Sequence, residues 1–328
     1  MQTIPKVELH CHLDGSITLG AYKKLLGMHH KELPDEETIK RQLHAPDKCE
    51  NLAAYLSIFD HILKFLQTEQ SLVLAAYSLI QSAAEDNVAY IEVRFAPELH
   101  CQNGLTNEQA VSAVLKGLEN GERDFGVKSR AILCMMRHNG VKQNTRTLES
   151  ALNLRQYGVA AIDIAGDENI PIGENAALFK KAAEKGMAFT IHAGECGSFK
   201  NVIEAVELGA SRIGHGIAVI KDKEALQLCI DRNVMLEVCP TSNVQTNIVE
   251  TFSAHPFEKL YQSGVLVSVS TDNRTVSNVT LEQEWRTVQK HFPAVDDKTV
   301  MDINIKSAEA AFLTKDEKES LIKKIKSQ

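Results

Sequence analysis

The 328-residue sequence lacks a surplus of positive charge, a long apolar run and a paired-cysteine framework. It carries 43 acidic against 36 basic residues, and the basic residues are dispersed, so no cationic face is available for the phosphates of a nucleic acid. No stretch approaches the ~18 apolar residues of a membrane span, and the first residues contain no apolar core of a secretory signal. The seven cysteines are odd in number and lack tight pairwise spacing, which indicates reduced thiols. We therefore expect a cytoplasmic protein without a nucleic-acid or membrane partner.

Motifs for phosphate binding and for covalent catalysis are also missing. No Gly-x-Gly-x-x-Gly and no Gly-Lys-Ser/Thr follows an apolar run, which argues against a doubly wound nucleotide-binding sheet. A Gly-x-Ser-x-Gly elbow is absent, and so is the zinc pattern of His-x-Glu with Pro-Cys-x-x-Cys. Cys196 and Cys239 lie near predicted strand ends, but buried free cysteines are more often inert than nucleophilic. A serine or cysteine nucleophile is therefore not favoured.

Short apolar or β-branched runs recur along the chain with amphipathic helical stretches between them, which is typical of repeated β-α units. Their near-continuous hydrophobicity suits parallel strands that are covered on both faces. No linker or low-complexity segment divides the sequence. We predict an α/β fold, a (β/α)₈ TIM barrel that forms a single domain over residues 1–328. The eight predicted strands are Val7–His12, Val88–Ala96, Arg130–Met136, Val159–Ile164, Ala188–His192, Arg212–Gly216, Val234–Val238 and Leu266–Ser270.

One connection is unusually long, because residues 13–87 separate the first two strands. An apolar stripe at helical spacing within it predicts a helix, formed by Leu52, Tyr55, Leu56, Phe59, Ile62, Leu63 and Leu66. This helix can pack on the barrel as an extra element, or it can act as a lid over the catalytic end, and both interpretations can hold together. The charged amphipathic segment Lys315–Lys326 is predicted to be a helix on the solvated outer face.

Polar side chains follow the apolar strands, at the end where barrel enzymes place their sites. His10 and His12 are two residues apart on a strand and therefore point to the same face. Together with His192 and Asp272, which end two other strands, they form a set of three nitrogens and one carboxylate. Such a set suits a catalytic zinc ion with one position left open for water or substrate.

The same strand ends indicate how many metals are bound and which groups handle protons. Two-metal barrel hydrolases commonly use a modified lysine that ends strand four, but here that strand offers only Asp163 and Asp167. We therefore predict one zinc per chain. Glu195 lies three residues beyond His192, where it can serve as a general acid. His215, which stands between two glycines, is a candidate for orienting or deprotonating the attacking water.

Six ordered segments resemble the motifs of the adenosine deaminase family, and they extend from the first strand to the last. The resemblance implies a zinc-dependent deaminase that acts on adenosine or 2′-deoxyadenosine, with zinc on His10, His12, His192 and Asp272. It also implies that Glu195 donates a proton to purine N1, while His215 activates the water. The segments are Glu8–Ser16, Ile162–Glu168, His192–Glu195, Arg212–Gly216, Glu237–Asn243 and Ser270–Asn273.

The resemblance further implies substrate contacts: the backbone of Gly166 on purine N3, Asp14 and Ser16 on the ribose, and a hydrophobic lid. That lid comprises Tyr55, Leu56 and Phe59. Relatives that act on adenine tend to have glutamate where this chain has Asp14, whose shorter side chain leaves space for a sugar and whose charge would repel a 5′-phosphate. At Asn273 many members have a second aspartate that contacts purine N7, and an amide can donate there without being protonated.

Two other functions remain open at this point. The chain could deaminate another 6-aminopurine, such as adenine, a modified adenosine or an aminofutalosine, or it could be a non-catalytic nucleoside-binding protein. Glu195 and His215 argue against the second function, because a structural zinc needs neither. A small-molecule nucleoside is the expected partner, and the expected state is a monomer or a weak homo-oligomer.

Overall fold

The computed structural model describes residues 4–327 and contains eight parallel strands, each paired with the next along the chain. The first and last strands meet through an isolated bridge between Cys11 and Asp272, so the sheet closes into a barrel. The predicted (β/α)₈ barrel is confirmed, and every predicted strand lies within two residues of its observed bounds. The strands are β1 Lys6–His12, β2 Val88–Phe95, β3 Lys128–Met136, β4 Val159–Ala165, β5 Ala188–Ala193, β6 Arg212–His215, β7 Met235–Val238 and β8 Leu266–Val269.

Fifteen α-helices accompany these strands within residues 4–327. Four of them begin at a threonine whose hydroxyl accepts the backbone N–H three residues on, in a reciprocal capping box. The helices are α1 Leu19–Met28, α2 Glu36–Leu43, α3 Leu52–Leu56, α4 Phe59–Leu63, α5 Glu69–Glu85, α6 Asn107–Phe125, α7 Val141–Leu154, α8 Ala176–Glu184, α9 Phe199–Glu207, α10 Lys223–Asp231, α11 Pro240–Gln245, α12 Phe257–Gln262, α13 Leu281–His291, α14 Asp297–Ala310 and α15 Lys315–Lys326.

The long first connection contains four helices, α1 to α4, in addition to the barrel helix α5. The prediction of one continuous helix over Leu52–Leu66 is wrong, because the chain breaks at Ser57 and Ile58 into α3 and α4. The Ser57 hydroxyl donates to the Ala54 carbonyl at 2.8 Å. Backbone bonds across the break span three residues rather than four, as in the pair from Ile58 to Tyr55 at 3.3 Å. The apolar stripe nevertheless faces the barrel.

The amino-terminal end of the barrel is closed by the C-terminal helices. Leu321 and Ile325 of α15 are buried in one apolar cluster with Val7, Leu9 and Tyr90 of the first two strands. The prediction that Lys315–Lys326 forms only a solvated outer face is therefore wrong, since one side of this helix covers the barrel floor. Polar residues are thus left to gather at the opposite, carboxyl end. Within residues 4–327 no helix is long and apolar enough to cross a membrane, and all seven cysteines are free.

Candidate active site and metal centre

Four side chains converge at the carboxyl end of the barrel with the spacing of metal ligands. Nε2 of His12 lies 3.2 Å from Nε2 of His192, and Oδ1 of Asp272 lies 3.4 Å from Nε2 of both His10 and His12. Two ligands that each lie about 2.0–2.1 Å from a tetrahedral zinc are about 3.3–3.4 Å apart. Nε2 of His10 is buried and has no hydrogen-bond partner. The donor set therefore fits a single zinc ion.

The seam between β1 and β8 fixes two of these side chains. The backbone N–H of His12 donates to the Asp272 carbonyl at 2.7 Å, and the N–H of Asp272 donates to the His10 carbonyl at 3.0 Å. Asp272 adopts a positive φ of 61°, as does His215 at the end of β6. Non-glycine residues rarely adopt this conformation, and such strain concentrates at functional sites.

Buried carboxylates stand behind two of the histidines. Nδ1 of His10 lies 2.9 Å from Oε2 of Glu237, and Nδ1 of His192 lies 2.8 Å from Oδ2 of Asp163. Arg94 joins the two acids, because its guanidinium donates to Asp163 and to Glu237 at 2.7 Å each. Burial raises the pKa of Asp163, but His192 and Arg94 outweigh that effect and hold the pKa below its usual value. This arrangement orients both imidazoles and leaves their Nε2 atoms facing the metal position.

The sequence reasoning assigned no role to Arg94 or Glu237 and considered Asp163 only as a metal bridge. A signal was present, because Asp163 and Glu237 each interrupt an otherwise apolar strand, and Arg94 lies in a strand whose only other charged residue is Glu92. Charged side chains are almost never fully buried unless they are paired. Three such residues in three predicted barrel strands indicate one shared ion-pair network.

Glu195 and His215 face each other beside the metal position, with Oε2 of Glu195 3.6 Å from Nε2 of His215. Both are buried. The backbone N–H groups of Gly194 and Glu195 donate to the carboxylate of Glu168 at 2.7 and 2.9 Å, which fixes the turn. Burial raises the pKa of Glu195 well above its ordinary value, and the charges of Asp272 and Glu168 add to the effect. A carboxyl that stays protonated near neutral pH is suited to donate a proton.

The surroundings of His215 favour its neutral imidazole over the charged imidazolium. Burial lowers its pKa well below the ordinary histidine value, and the nearby His10 lowers it further. With His10 and Asp272 it also forms a group whose ligand atoms lie within 4.8 Å of one another. Distance alone therefore leaves His215 as a possible ligand.

A cavity of about 480 Å³ opens over these groups. Its volume lies in the range of small-molecule sites, about 300–1,000 Å³. Its wall combines the polar strand ends with apolar side chains from α3 and α4, so residues predicted to form a lid and residues predicted to bind a metal line the same space. The sequence-predicted residues that line it are His12, Asp14, Tyr55, Leu56, Phe59, Gly166, His192, Glu195, His215, Asp272 and Asn273.

Ser16 is not among the residues that line the cavity, and its contact with a ribose stays a prediction. Its hydroxyl accepts the backbone N–H of Arg274 at 3.1 Å and lies 3.4 Å from the sulfur of Cys11. The side chain is buried behind the cavity wall and holds the turn after β1 against the turn after β8. Ser16 therefore positions the neighbouring Asp14.

Two polar atoms on the cavity wall are buried and have no partner. They are Oδ1 of Asp14 and Oδ1 of Asn273. Burial raises the pKa of Asp14 to about 6. Asn273 packs closely against Gly15, where a Cβ would lie 1.9 Å from its Oδ1. Buried polar atoms without partners are costly, so Oδ1 of Asp14 is placed to meet a polar ligand, whereas Oδ1 of Asn273 lies against Gly15.

The closed parallel barrel and its convergent histidines and aspartate define the class of metal-dependent barrel hydrolases. The family profile described as "Adenosine deaminase" matches residues 5–328. A protein named adenosine deaminase from Enterococcus faecalis is 44% identical over 327 residues, covering 99% of this chain and 97% of the relative. The chain belongs to the adenosine deaminase family.

Solved structures agree in fold. The adenine deaminase of Arthrobacter aurescens superposes with a TM-score of 0.90 at 25% identity, over 99% of this chain and 98% of that one. An amidohydrolase from Burkholderia ambifaria with bound Zn superposes with a TM-score of 0.88 at 23% identity, over 100% of this chain and 94% of that one. The second likeness concerns the fold alone. The two neighbours thus match the fold over nearly the whole chain.

Proposed function

We propose that this chain is a zinc-dependent hydrolase that converts adenosine and 2′-deoxyadenosine to inosine and 2′-deoxyinosine with release of ammonia, as in purine salvage. The observation that carries the proposal is the buried pair of Glu195 and His215 on the same cavity as the metal-ligand set. The full-length similarity to relatives named adenosine deaminase supports the same reaction.

The metal belongs to His10, His12, His192 and Asp272, one zinc ion per chain. When bound there, zinc supplies an acidified water as nucleophile at neutral pH. The set of three imidazoles and one carboxylate and the absence of a lysine at the end of β4 favour one ion over two. Ser242 donates to Oδ2 of Asp272 at 2.6 Å and so orients this carboxylate, which leaves Oδ1 for the ion.

The protons are handled by the remaining buried groups. Glu195 gives its proton to purine N1 while the water oxygen adds to C6, so the ring does not accumulate negative charge. His215 orients or deprotonates that water. The exocyclic nitrogen takes one proton of the added water, and the bond from C6 to this nitrogen breaks as ammonia leaves. The other proton of that water returns to Glu195 as the oxygen on C6 becomes a carbonyl. Asp272 is the third catalytic residue and lies beside Glu195 and His215, where it helps to position the attacking water.

The residues of the cavity wall are suited to bind a nucleoside. Gly166 offers its backbone N–H to purine N3, Asn273 donates its amide to N7, and Asp14 accepts from the ribose hydroxyls. Tyr55, Leu56 and Phe59 cover the substrate from the lid side. The charge of Asp14 above its pKa of about 6 disfavours a 5′-phosphate at close range. The proposal also includes zinc as the metal and the cytoplasm as the location. The proposed oligomeric state is a monomer or a weak homo-oligomer.

A substrate panel tests the proposal. Purified chain with equimolar zinc is incubated with adenosine, 2′-deoxyadenosine, adenine, N6-methyladenosine and AMP, and the ultraviolet shift and released ammonia are followed. We expect the largest kcat/KM for the two unmodified nucleosides, loss of activity after chelation, and recovery with zinc. Absence of turnover would overturn the deaminase activity and favour a nucleoside-binding protein, whereas a larger kcat/KM for another 6-aminopurine would overturn only the substrate.

A further inference from the structure

A chain of three buried side chains leads from His215 away from the cavity. Nδ1 of His215 lies 3.2 Å from Nδ2 of Asn243 in α11. Oδ1 of Asn243 lies 3.2 Å from Nε2 of His255, which precedes α12. Nδ1 of His255 in turn accepts the backbone N–H of Phe257 at 3.1 Å. This series of hydrogen bonds therefore runs from the backbone N–H of Phe257 to His215 in the active site.

The backbone donor fixes the state of His255. A peptide N–H can only donate, so Nδ1 of His255 must carry a lone pair. Burial lowers the pKa of His255 to about 3, and the ring is neutral at physiological pH. A neutral imidazole has one proton, which must therefore lie on Nε2, the atom that faces Asn243.

The orientation of the Asn243 amide follows from this proton. Nε2–H of His255 donates to the carbonyl oxygen Oδ1, which leaves the amino group Nδ2 facing His215. The backbone holds this side chain in place, because the N–H of Asn243 donates to Cys239 at 3.0 Å and its carbonyl accepts from Val249 at 2.9 Å. An amino group can only donate here, so Nδ1 of His215 must accept. An imidazole that accepts at Nδ1 carries its one proton on Nε2, so the proton of His215 is on Nε2.

This assignment separates His215 from the metal ligands. Behind His10 and His192 stand carboxylates, 2.9 and 2.8 Å from Nδ1, which favour a proton on Nδ1 and so leave Nε2 with a lone pair for a metal. Behind His215 stands a donor, which leaves Nε2 protonated and without a lone pair. The opposite chemistry of the two kinds of partner explains how a ring within ligand distance of His10 and Asp272 stays out of the metal set.

We propose that Asn243 and His255 are positioning residues that hold His215 as its Nε2–H tautomer, so that His215 donates a hydrogen bond to the attacking oxygen and does not remove its proton. This inference rests on the proposed function for its effect on catalysis, and it decides between the two roles that were open for His215. The tautomer itself depends only on the contacts of the three side chains.

Nitrogen NMR tests the tautomer directly. Zinc-bound protein with ¹⁵N-labelled histidine is examined by long-range ¹H–¹⁵N correlation, which distinguishes a protonated from an unprotonated ring nitrogen. Signals of His215 and His255 are assigned from the spectra of His215→Gln and His255→Gln. We expect Nε2 protonated and Nδ1 unprotonated in both rings of the wild type. A protonated Nδ1 on His215 would overturn the proposal, whatever the enzymatic activity.

Asn243→Asp tests the consequence for catalysis. A carboxylate of the same shape can only accept, so it should draw the His215 proton to Nδ1 and remove the donor at Nε2. We expect kcat to fall about 100-fold, the cost of losing one positioned donor, while KM and zinc content stay close to wild type. The matched control is Asn247→Asp, an exposed position just beyond α11 that adds the same charge and should change neither tautomer nor kcat.

His255 provides a second, independent variant. His255→Gln keeps an N–H donor for Asn243 and should retain most activity, whereas His255→Leu removes the donor and should lower kcat with little change in KM. A wild-type tautomer and kcat in both Asn243→Asp and His255→Leu would overturn the proposal. If the wild-type protein deaminates no substrate, the proposed function fails, and the NMR spectrum still decides the tautomer. If Asn243→Asp does not fold, the wild-type spectrum and the His255 pair give the answer.

Discussion

Gly214→Ala is expected to weaken zinc binding without preventing folding. Gly214 lies in β6 beside the metal ligands, and a Cβ there would lie 3.0 Å from Cε1 of His10 and 3.2 Å from Cγ of His192. Ordinary contacts of a Cβ fall at 3.4–4 Å, so the rings would have to move by a few tenths of an ångström. Neither ring is free to do so, because Glu237 and Asp163 hold their Nδ1 atoms.

The size of the effect follows from the tolerance of a metal site. Ligand distances are held within about ±0.2 Å, and disturbing the groups that orient metal-binding histidines typically costs about 10- to 100-fold in affinity. We expect a loss of that order for Gly214→Ala. Overpacking of the barrel interior should also lower the free energy of unfolding by about 1–3 kcal/mol, which a domain of this size survives.

Zinc affinity is measured by competition with a chelator of known affinity, and folding by circular dichroism and thermal unfolding. The matched control is Gly20→Ala in α1, where an added Cβ meets no atom within 4 Å and alanine favours the helix. A folded Gly214→Ala protein that binds zinc as tightly as wild type would refute the reasoning, since the rings would then have room that the structure does not give them.

Three further variants test the acid, a buried carboxyl and the lid. Glu195→Gln should keep its zinc, because protonated Glu195 is already neutral, but steady-state kcat should fall about 100- to 10,000-fold for want of a proton for purine N1; near wild-type turnover would remove that role. Burial raises the pKa of Glu284 from 4.5 to about 8, so the fold favours its protonated form, and the stability this gives is complete below pH 4.5 and lost as the pH rises through 8. Glu284→Gln keeps the acceptor for the Thr241 N–H, and in urea titrations with excess zinc it should be more stable than wild type by about 5 kcal/mol at pH 9 and by much less at pH 5; an equal difference at both values would contradict the assignment. Phe59→Ala opens the lid wall and should raise KM about tenfold with kcat little changed, because Phe59 contributes binding that substrate and transition state share; a fall in kcat alone would contradict this.

The strands and the convergence of His10, His12, His192 and Asp272 could be predicted because each depends on local pattern and on one rule of topology. A parallel barrel strand is an unbroken apolar run, and its carboxyl end is where polar residues begin. His10 and His12 share a face through the two-residue period of a strand, and closure of the barrel brings Asp272 to them. No long-range contact had to be known in advance.

The errors arose where local pattern underdetermines the structure. The stripe from Leu52 to Leu66 has helical spacing whether or not the helix is broken, since a change from four-residue to three-residue bonds at Ser57 leaves the apolar face in place. In Lys315–Lys326 the many charges concealed a pair of apolar residues four apart, Leu321 and Ile325, which is enough to bury one side of a helix.

The partners behind the histidines could not be read from the sequence at all, and they decide what each histidine does. Glu237 is 227 residues from His10, Asp163 is 29 from His192, and Asn243 is 28 from His215. In each case Nδ1 is committed to the protein and Nε2 faces the site. An acceptor behind Nδ1 leaves a lone pair on Nε2 and makes a metal ligand, whereas a donor leaves a proton there and makes a hydrogen-bond donor. Whether the distant partner of Nδ1 is an acceptor or a donor therefore decides which of the two roles a histidine takes at the carboxyl end of this barrel.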